Sequence, residues 1–288
     1  MQPQEISCLI TRDNCQNKPS QLLAQASSLS VATVKDAMQK GAVWLVRGNK
    51  KQRLRRASKP LRPDDKLQLF YNPQILEQQV PEPSLIEDAG DYSIWFKPYG
   101  LYCQGSRWGD FCSIHRWVEQ YFLQYDQQKP VFLVHRLDRA TSGLLLLAHT
   151  KNAARLFSEA FAQGRMDKRY RALVKGDFSS YEDWLEVDRA VEGKVAKSRF
   201  RFLEGGADRS LLDVQLLTGR KHQIRQHLSG IGFPIVGDRL YGNGEADGID
   251  LQLQSVNLSF RCPISGSDKS YRVPDSKLLR LSEISSDV

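Results

Sequence analysis

Residues 134–149, Val-His-Arg-Leu-Asp-Arg-Ala-Thr-Ser-Gly-Leu-Leu-Leu-Leu-Ala-His, set one carboxylate, Asp138, in a polar turn directly before a continuous apolar run. A rigid buried strand can aim such an acid outward, which is how folds present catalytic groups on loops held by a scaffold. Capping the turn, or pairing with Arg136 or Arg139, would be the plainer use of Asp138. A turn that only reverses the chain, however, needs about two to five residues, mostly Gly, Asn or Asp. This one carries His135, Arg136, Asp138, Arg139, Thr141, Ser142 and Gly143. An ionised Asp in a dry pocket can act as nucleophile or base, and a neighbouring cation favours that form.

Other chemistries find little support. The five cysteines, Cys8, Cys15, Cys103, Cys112 and Cys262, are scattered and form no CxxC pair, so neither a disulfide framework nor a zinc cluster is expected. The five histidines include no HExxH, and although His222 and His227 share a segment, a spacing of five puts them on different helix faces. No metal site is expected. The start of the chain has no basic flank or long apolar core, and no run approaches the roughly 18 apolar residues of a membrane span. A soluble, cytoplasmic protein in a reducing compartment is the expectation. A formal charge of +8 and a pI near 9.2 suggest a polyanionic partner.

The elements that would position Asp138 fall into two parts. Residues 1–80 read as a small module: Ser30 caps a helix running to about Lys40 with Val34, Ala37 and Met38 on one face, and Gly41 stops it. Strands are expected at Ala42–Val46 and Leu67–Tyr71. Between them Arg47, Lys50, Lys51, Arg53, Arg55, Arg56 and Lys59 form a dense basic loop with almost no compensating acid, read as an arm for phosphates. Val80-Pro81-Glu82-Pro83-Ser84 reads as a linker. Beyond it a strand at Asp91–Phe96 enters the Pro98-Tyr99-Gly100 turn, and a helix at Ser113–Leu123 carries Ile114, Trp117, Val118 and Phe122. Leu144–Leu147 reads as buried strand, and Asn152–Gln163 as a core helix with Thr150 as cap and Gly164 as stop. Alternation around Tyr170 and along Ser210–Leu217 gives two more strands. Thr218-Gly219 then opens a helix bearing Ile224, Leu228 and Ile231.

His135-Arg136-Leu137-Asp138-Arg139-Ala140-Thr141-Ser142-Gly143 resembles the central motif of the RluA-like family of RNA pseudouridine synthases. Lys168–Gly176, around Tyr170, resembles the family's tyrosine motif, and Thr218–Leu228, around Arg225, its late arginine motif. Lys97-Pro98-Tyr99-Gly100-Leu101 matches its opening Lys-Pro-x-Gly turn. The four motifs occur in the family's order, over roughly residues 84–275. One departure is Arg261-Cys262-Pro263, where many relatives have His before Pro. Residues 1–80 resemble, in degenerate form, a small RNA-binding module of some ribosomal proteins.

The resemblance implies an α+β catalytic fold with a mixed, mainly antiparallel central sheet flanked by helices, over residues 84–275. A small N-terminal α/β RNA-binding module (1–80) would precede it, and a tail (276–288) follow. It implies isomerisation of uridine to pseudouridine in structured RNA, ribosomal RNA favoured over transfer RNA, by a monomer with no cofactor and no membrane partner. Asp138, Tyr170 and Arg225 would be catalytic: Arg225 as ion-pair partner of Asp138, Tyr170 as a stacking platform for the flipped base, near the proton removed from that base at the end. Arg136, Arg220, Lys168 and Lys221, with Arg53, Arg55 and Arg56 of the basic loop, would hold RNA. Gly237-Asp238-Arg239-Leu240-Tyr241-Gly242 is a further family landmark, which its turn glycines explain. A nucleoside or glycoside hydrolase is one alternative, but such enzymes usually pair two carboxylates and the motifs supply only Asp138. A catalytically inactive RNA-binding protein is the other, but Asp138, Tyr170 and Arg225 are all intact.

Overall fold

The helix and strand signals resolve into two compact units, residues 1–80 with 104–127, and residues 81–103 with 128–288. The computed structural model describes residues 2–181, 183–206, 208–242 and 247–281. No helix among them is long and apolar enough to cross a membrane.

In the first unit β1 (Gln4–Leu9), β2 (Val43–Arg47), β3 (Lys50–Arg53) and β4 (Lys66–Tyr71) form an antiparallel sheet in the order β1-β4-β2-β3. Helices α1 (Pro19–Ser27) and α2 (Val31–Gln39) lie with it, and Leu22, Leu23, Val34, Ala37, Met38, Leu45, Leu67 and Leu69 make one core. The Ser30 hydroxyl accepts from the Thr33 amide at 3.0 Å, satisfying one of the open donors at the start of α2. A short α3 (Pro73–Leu76) and α4 (Ile114–Gln124) complete the unit. The helix expected at Ser113–Leu123 is therefore present, but it clusters with the N-terminal residues rather than with the segment on either side of it.

The basic stretch departs from expectation. Lys50–Arg53 is strand β3, paired with β2, rather than loop. Its compensating acids come from elsewhere in the sequence. Asp65 takes Arg47 at 2.6 Å, and Asp110 takes both Arg53, at 3.0 Å, and Arg55, at 2.5 Å.

In the second unit a ten-stranded sheet runs in the order β10-β11-β12-β9-β13-β8-β6-β5, with β14 on β13 and β7 on β8. The strands are β5 (Ser84–Asp88), β6 (Tyr92–Lys97), β7 (Phe132–Leu133), β8 (Ser142–Ala148), β9 (Met166–Lys175), β10 (Leu185–Asp188), β11 (Lys197–Gly205), β12 (Arg209–Leu216), β13 (Leu253–Arg261) and β14 (Asp268–Arg272). Among the described residues only β8 and β13 pair in parallel, so the sheet is mixed and mainly antiparallel. Leu144–Ala148 of β8 are fully buried, which accounts for a continuous apolar run where a half-wet strand would alternate. Helix α5 (Lys151–Ala162), capped by Thr150 Oγ1 accepting from the Ala153 amide, turns Ala153, Phe157 and Ala160 into that core. Helix α6 (Gln223–Gly230) follows β12.

Gly143 shows why the sheet can close here. A Cβ at this residue would lie 2.1 Å from the Ser255 carbonyl oxygen, so β8 and β13 approach only because position 143 has no side chain. The C-terminal stretch expected as a tail from 276 begins tied down, with Lys277 donating to Ser84 Oγ at 2.7 Å and the Leu279 amide to Gln254 Oε1 at 2.8 Å. Residues from Ser282 onward lie outside the described residues.

Candidate active site

Much of the polar content of the 134–143 turn is spent on holding its shape. His135 Nε2 accepts from the Leu146 amide at 2.9 Å and its ring stacks on Phe161 at 4.2 Å between centroids. Burial pushes that imidazole down to about 3, so it stays neutral and able to accept. Cys103 Sγ bridges both backbone groups of Leu137 at 3.2 Å. Arg139 and Gly100 exchange two hydrogen bonds, the Gly100 amide to the Arg139 carbonyl at 2.9 Å and Arg139 Nε to the Gly100 carbonyl at 3.2 Å.

Beneath the turn lies Lys97, fully buried, its ammonium donating to the carbonyls of Leu101 (2.9 Å), Pro98 (3.0 Å) and Arg139 (3.4 Å). Burial lowers Lys97 to about 8, partly offset by the charges of Cys103 and Asp138. The sequence marks this lysine as part of a motif without saying what it does. It binds the Lys97–Leu101 turn to the residue after Asp138.

Asp138 opens from this frame into a cavity of about 370 Å³. Tyr170, Arg136, Arg220, Lys221, His222 and Arg225 line the same cavity, with Leu216, Ile224 and Leu253 as its apolar wall. Tyr170 comes from β9, its phenol bonded to Ser255, and burial pushes the phenol up to about 12. Arg136 and Lys221 are exposed, and their side chains make no hydrogen bond or ion pair among the described residues. Arg220 is steadied by the Val195 carbonyl at 3.0 Å. Lys168 does not line the cavity, and burial lowers its ammonium. Arg53, Arg55 and Arg56 belong to the other unit, and of the three only Arg56 lacks a partner among the described residues.

Arg225 differs from expectation in its main partner. Its guanidinium grips Asp238 in a bidentate pair, Nε to Oδ2 at 2.7 Å and Nη2 to Oδ1 at 2.6 Å, and reaches Asp138 Oδ2 only at 4.0 Å through Nη1. Asp238 is 1 % exposed and also accepts from the amides of Leu240 (2.9 Å) and Tyr241 (3.0 Å). Burial opposes its charge, but these donors hold its carboxyl below the usual range. The turn glycines alone do not explain the Gly237–Gly242 segment. Its acid fixes the arginine that faces Asp138.

Two more residues escaped the sequence reading. Gln223 is buried and fully used: Oε1 accepts from Thr218 Oγ1 at 2.7 Å and the Arg220 amide at 3.0 Å, and Nε2 donates to the Lys197 carbonyl and Ser198 Oγ, each at 2.9 Å. It shapes the loop that delivers Arg220 and Lys221. His222 caps α6 in left-handed backbone (φ 55°, ψ 22°), with Nε2 3.6 Å from Asp138 Oδ2 and Nδ1 3.0 Å from Tyr241 Oη. No local signal marks it, because the contact with Asp138 joins residues 84 positions apart.

Comparison with known proteins identifies the family. Residues 91–230 match the family model described as RNA pseudouridylate synthase. Ribosomal large subunit pseudouridine synthase D of Borreliella burgdorferi is 30% identical over 228 residues, 70% of this chain and 69% of that protein. Dual-specificity RNA pseudouridine synthase RluA of Salmonella typhimurium is 34% identical over 157 residues, 49% of this chain and 72% of that protein. The structure titled Human RNA Pseudouridylate Synthase Domain Containing 1 superposes with a TM-score of 0.58 at 23% identity, over 70% of this chain and 86% of that one, and so shares the fold. The chain belongs to the RNA pseudouridylate synthase family, among its RluA-like members, and is a pseudouridine synthase acting on RNA.

Proposed function

We propose that Asp138 is the catalytic carboxylate of this synthase, that its substrate is a uridine in structured RNA, ribosomal RNA in preference to transfer RNA, and that the reaction needs no cofactor. The observation that carries this reading is a single cavity in which Asp138 stands with a buried tyrosine, an arginine anchored beside it and two unpaired cations at the rim. The reaction breaks the bond from ribose to the base nitrogen, turns the base and rejoins it through carbon, with one proton leaving that carbon and one returning to nitrogen. Nothing is oxidised and no group is lost, so general acid–base and nucleophilic groups suffice.

Asp138 acts as nucleophile at the anomeric carbon, as nucleophile at the base, or as the base that removes a ribose proton. All three need it ionised beside Arg225. Tyr170 offers a stacking face for the flipped base, and burial pushes its phenol up to about 12, so it is protonated at neutral pH before RNA binds. Extracting a nucleotide costs about a few kcal/mol, which stacking on Tyr170 and phosphate contacts from Arg136, Arg220 and Lys221 offset. Two relatives bear on the target, one named for the ribosomal large subunit and one as dual-specificity.

The test is to incubate the purified chain with ribosomal and transfer RNA transcripts and map pseudouridine at single-nucleotide resolution. Site-specific conversion in ribosomal RNA is expected. Conversion confined to transfer RNA would overturn the target, and release of free uracil in place of isomerisation would overturn the reaction.

A further inference from the structure

His222 has no task in the proposed reaction, although the fold holds it against Asp138 from two sides. Its Nε2 stands 3.6 Å from Asp138 Oδ2 and its Nδ1 3.0 Å from Tyr241 Oη. Its backbone is left-handed, a conformation uncommon outside glycine, for which asparagine, aspartate and histidine are the usual exceptions. Arg225 Nη1 comes nearest to the same carboxylate oxygen, Oδ2, and among the described residues no hydrogen bond reaches Oδ1.

We infer that His222 is a positioning residue for Asp138, donating Nε2–H to Oδ2 as the nucleotide enters, so that Oδ1 is the oxygen turned toward the reacting nucleotide. The inference rests on the reading of Asp138 as the catalytic carboxylate. In that arrangement the phenol of Tyr241, 3.0 Å away, donates to Nδ1, and the one proton of a neutral imidazole sits on Nε2, facing the carboxylate. Burial favours the neutral ring against the opposing pull of Asp138. The other groups that face it are Arg225 and Lys221 on its own segment, and Asp238 and Tyr241 on the turn after α6. A gap of 3.6 Å is longer than a hydrogen bond, and contacts of this kind tighten when substrate binds.

Two measurements test this. Nitrogen-15 NMR of the imidazole in the free wild-type protein should show the proton on Nε2, and Tyr241→Phe should mix the tautomers; a wild-type proton on Nδ1 overturns the inference without any assay of activity. Single-turnover and steady-state rates are then compared for His222→Ala, His222→Asn and His222→Gln on an RNA that the wild type modifies. Misplacing a reacting group costs up to about 100-fold, so Ala and Asn should lower kcat by about that factor with KM within about twofold. Gln alone places a donor at the Nε2 position, and it should recover about tenfold or more of the loss. A role in backbone shape alone ranks the variants the other way, because Asn tolerates left-handed backbone best. Equal kcat in the Ala and Gln variants, Asn outperforming Gln, or a change confined to KM would each overturn the inference. Pseudouridine formation that Asp138→Ala abolishes, with the His222 variants unaffected, sinks the inference alone; no pseudouridine from the wild type sinks the underlying reading as well.

Discussion

Two arginine-rich regions of this chain look alike in sequence and are opposite in structure. In the stretch from Arg47 to Lys59, three of the four arginines are consumed: Arg47 by Asp65, and Arg53 and Arg55 by Asp110. Around the Asp138 cavity, Arg136 and Lys221 stand exposed with no partner among the described residues, while Arg225 is fixed by a buried acid and held close to Asp138. A run of positive charge is therefore not a binding surface in itself. What matters is whether the fold has already brought an acid to each cation, and such an acid is free to come from far along the chain.

The most severe way to break the contrast is to remove the acid in the cavity's wall. Asp238→Asn leaves Arg225 buried beside a neutral amide, which should cost about 3 to 5 kcal/mol of stability and most of the activity. Urea unfolding and initial rates measure both, and a variant of wild-type stability and rate would show that the pair does not organise the site. Because the folded carboxyl of Asp238 lies below its ordinary value, this stabilisation is present above that ordinary value and is lost as pH falls through the folded one. The wild-type advantage over Asp238→Asn should therefore vanish in strong acid.

Removing Lys97 should be milder. Lys97→Met leaves the carbonyls of Pro98, Leu101 and Arg139 without their donor, at about 1 to 3 kcal/mol. The folded ammonium sits near 8, below its unfolded value, so between those limits the unfolded chain binds the proton that the folded chain has released. Wild-type stability relative to Lys97→Met should rise with pH across that window. A constant difference would contradict a buried, charged Lys97.

The smallest effects sharpen the comparison most. Each of Arg136→Ala and Lys221→Ala should reduce the log–log salt slope of RNA affinity by about 0.7 to 0.9. The pair Arg53→Ala and Arg55→Ala should leave that slope unchanged and lower the thermal midpoint, because their charge is already spent on Asp110. Asp110→Asn should release both arginines and steepen the slope. A slope that falls with Arg53 and Arg55 and ignores Arg136 would reverse the contrast.

The legibility of the sequence follows the same division. Asp138, Tyr170 and the late helix arginine lie in local motifs, and Ser30, Thr150 and Ser113 announce their helices through caps that act within about four residues. Local signals of that kind survive in one dimension. The partners Asp238, Asp110 and Asp65 did not, since each is chosen by how strands and turns meet in space. For the same reason, six polar or turn-forming residues around Asp138 suggested more chemistry than the turn contains. His135, Arg139 and Gly143 prove to hold backbone, and among the turn's charged side chains Arg136 and Asp138 line the cavity.

The central claim is tested most directly by Asp138→Ala with Arg136 intact, measuring pseudouridine formation and RNA affinity on the same transcript. The account predicts no detectable isomerisation, with affinity within a few fold of the wild type. Substantial residual isomerisation by Asp138→Ala would contradict it.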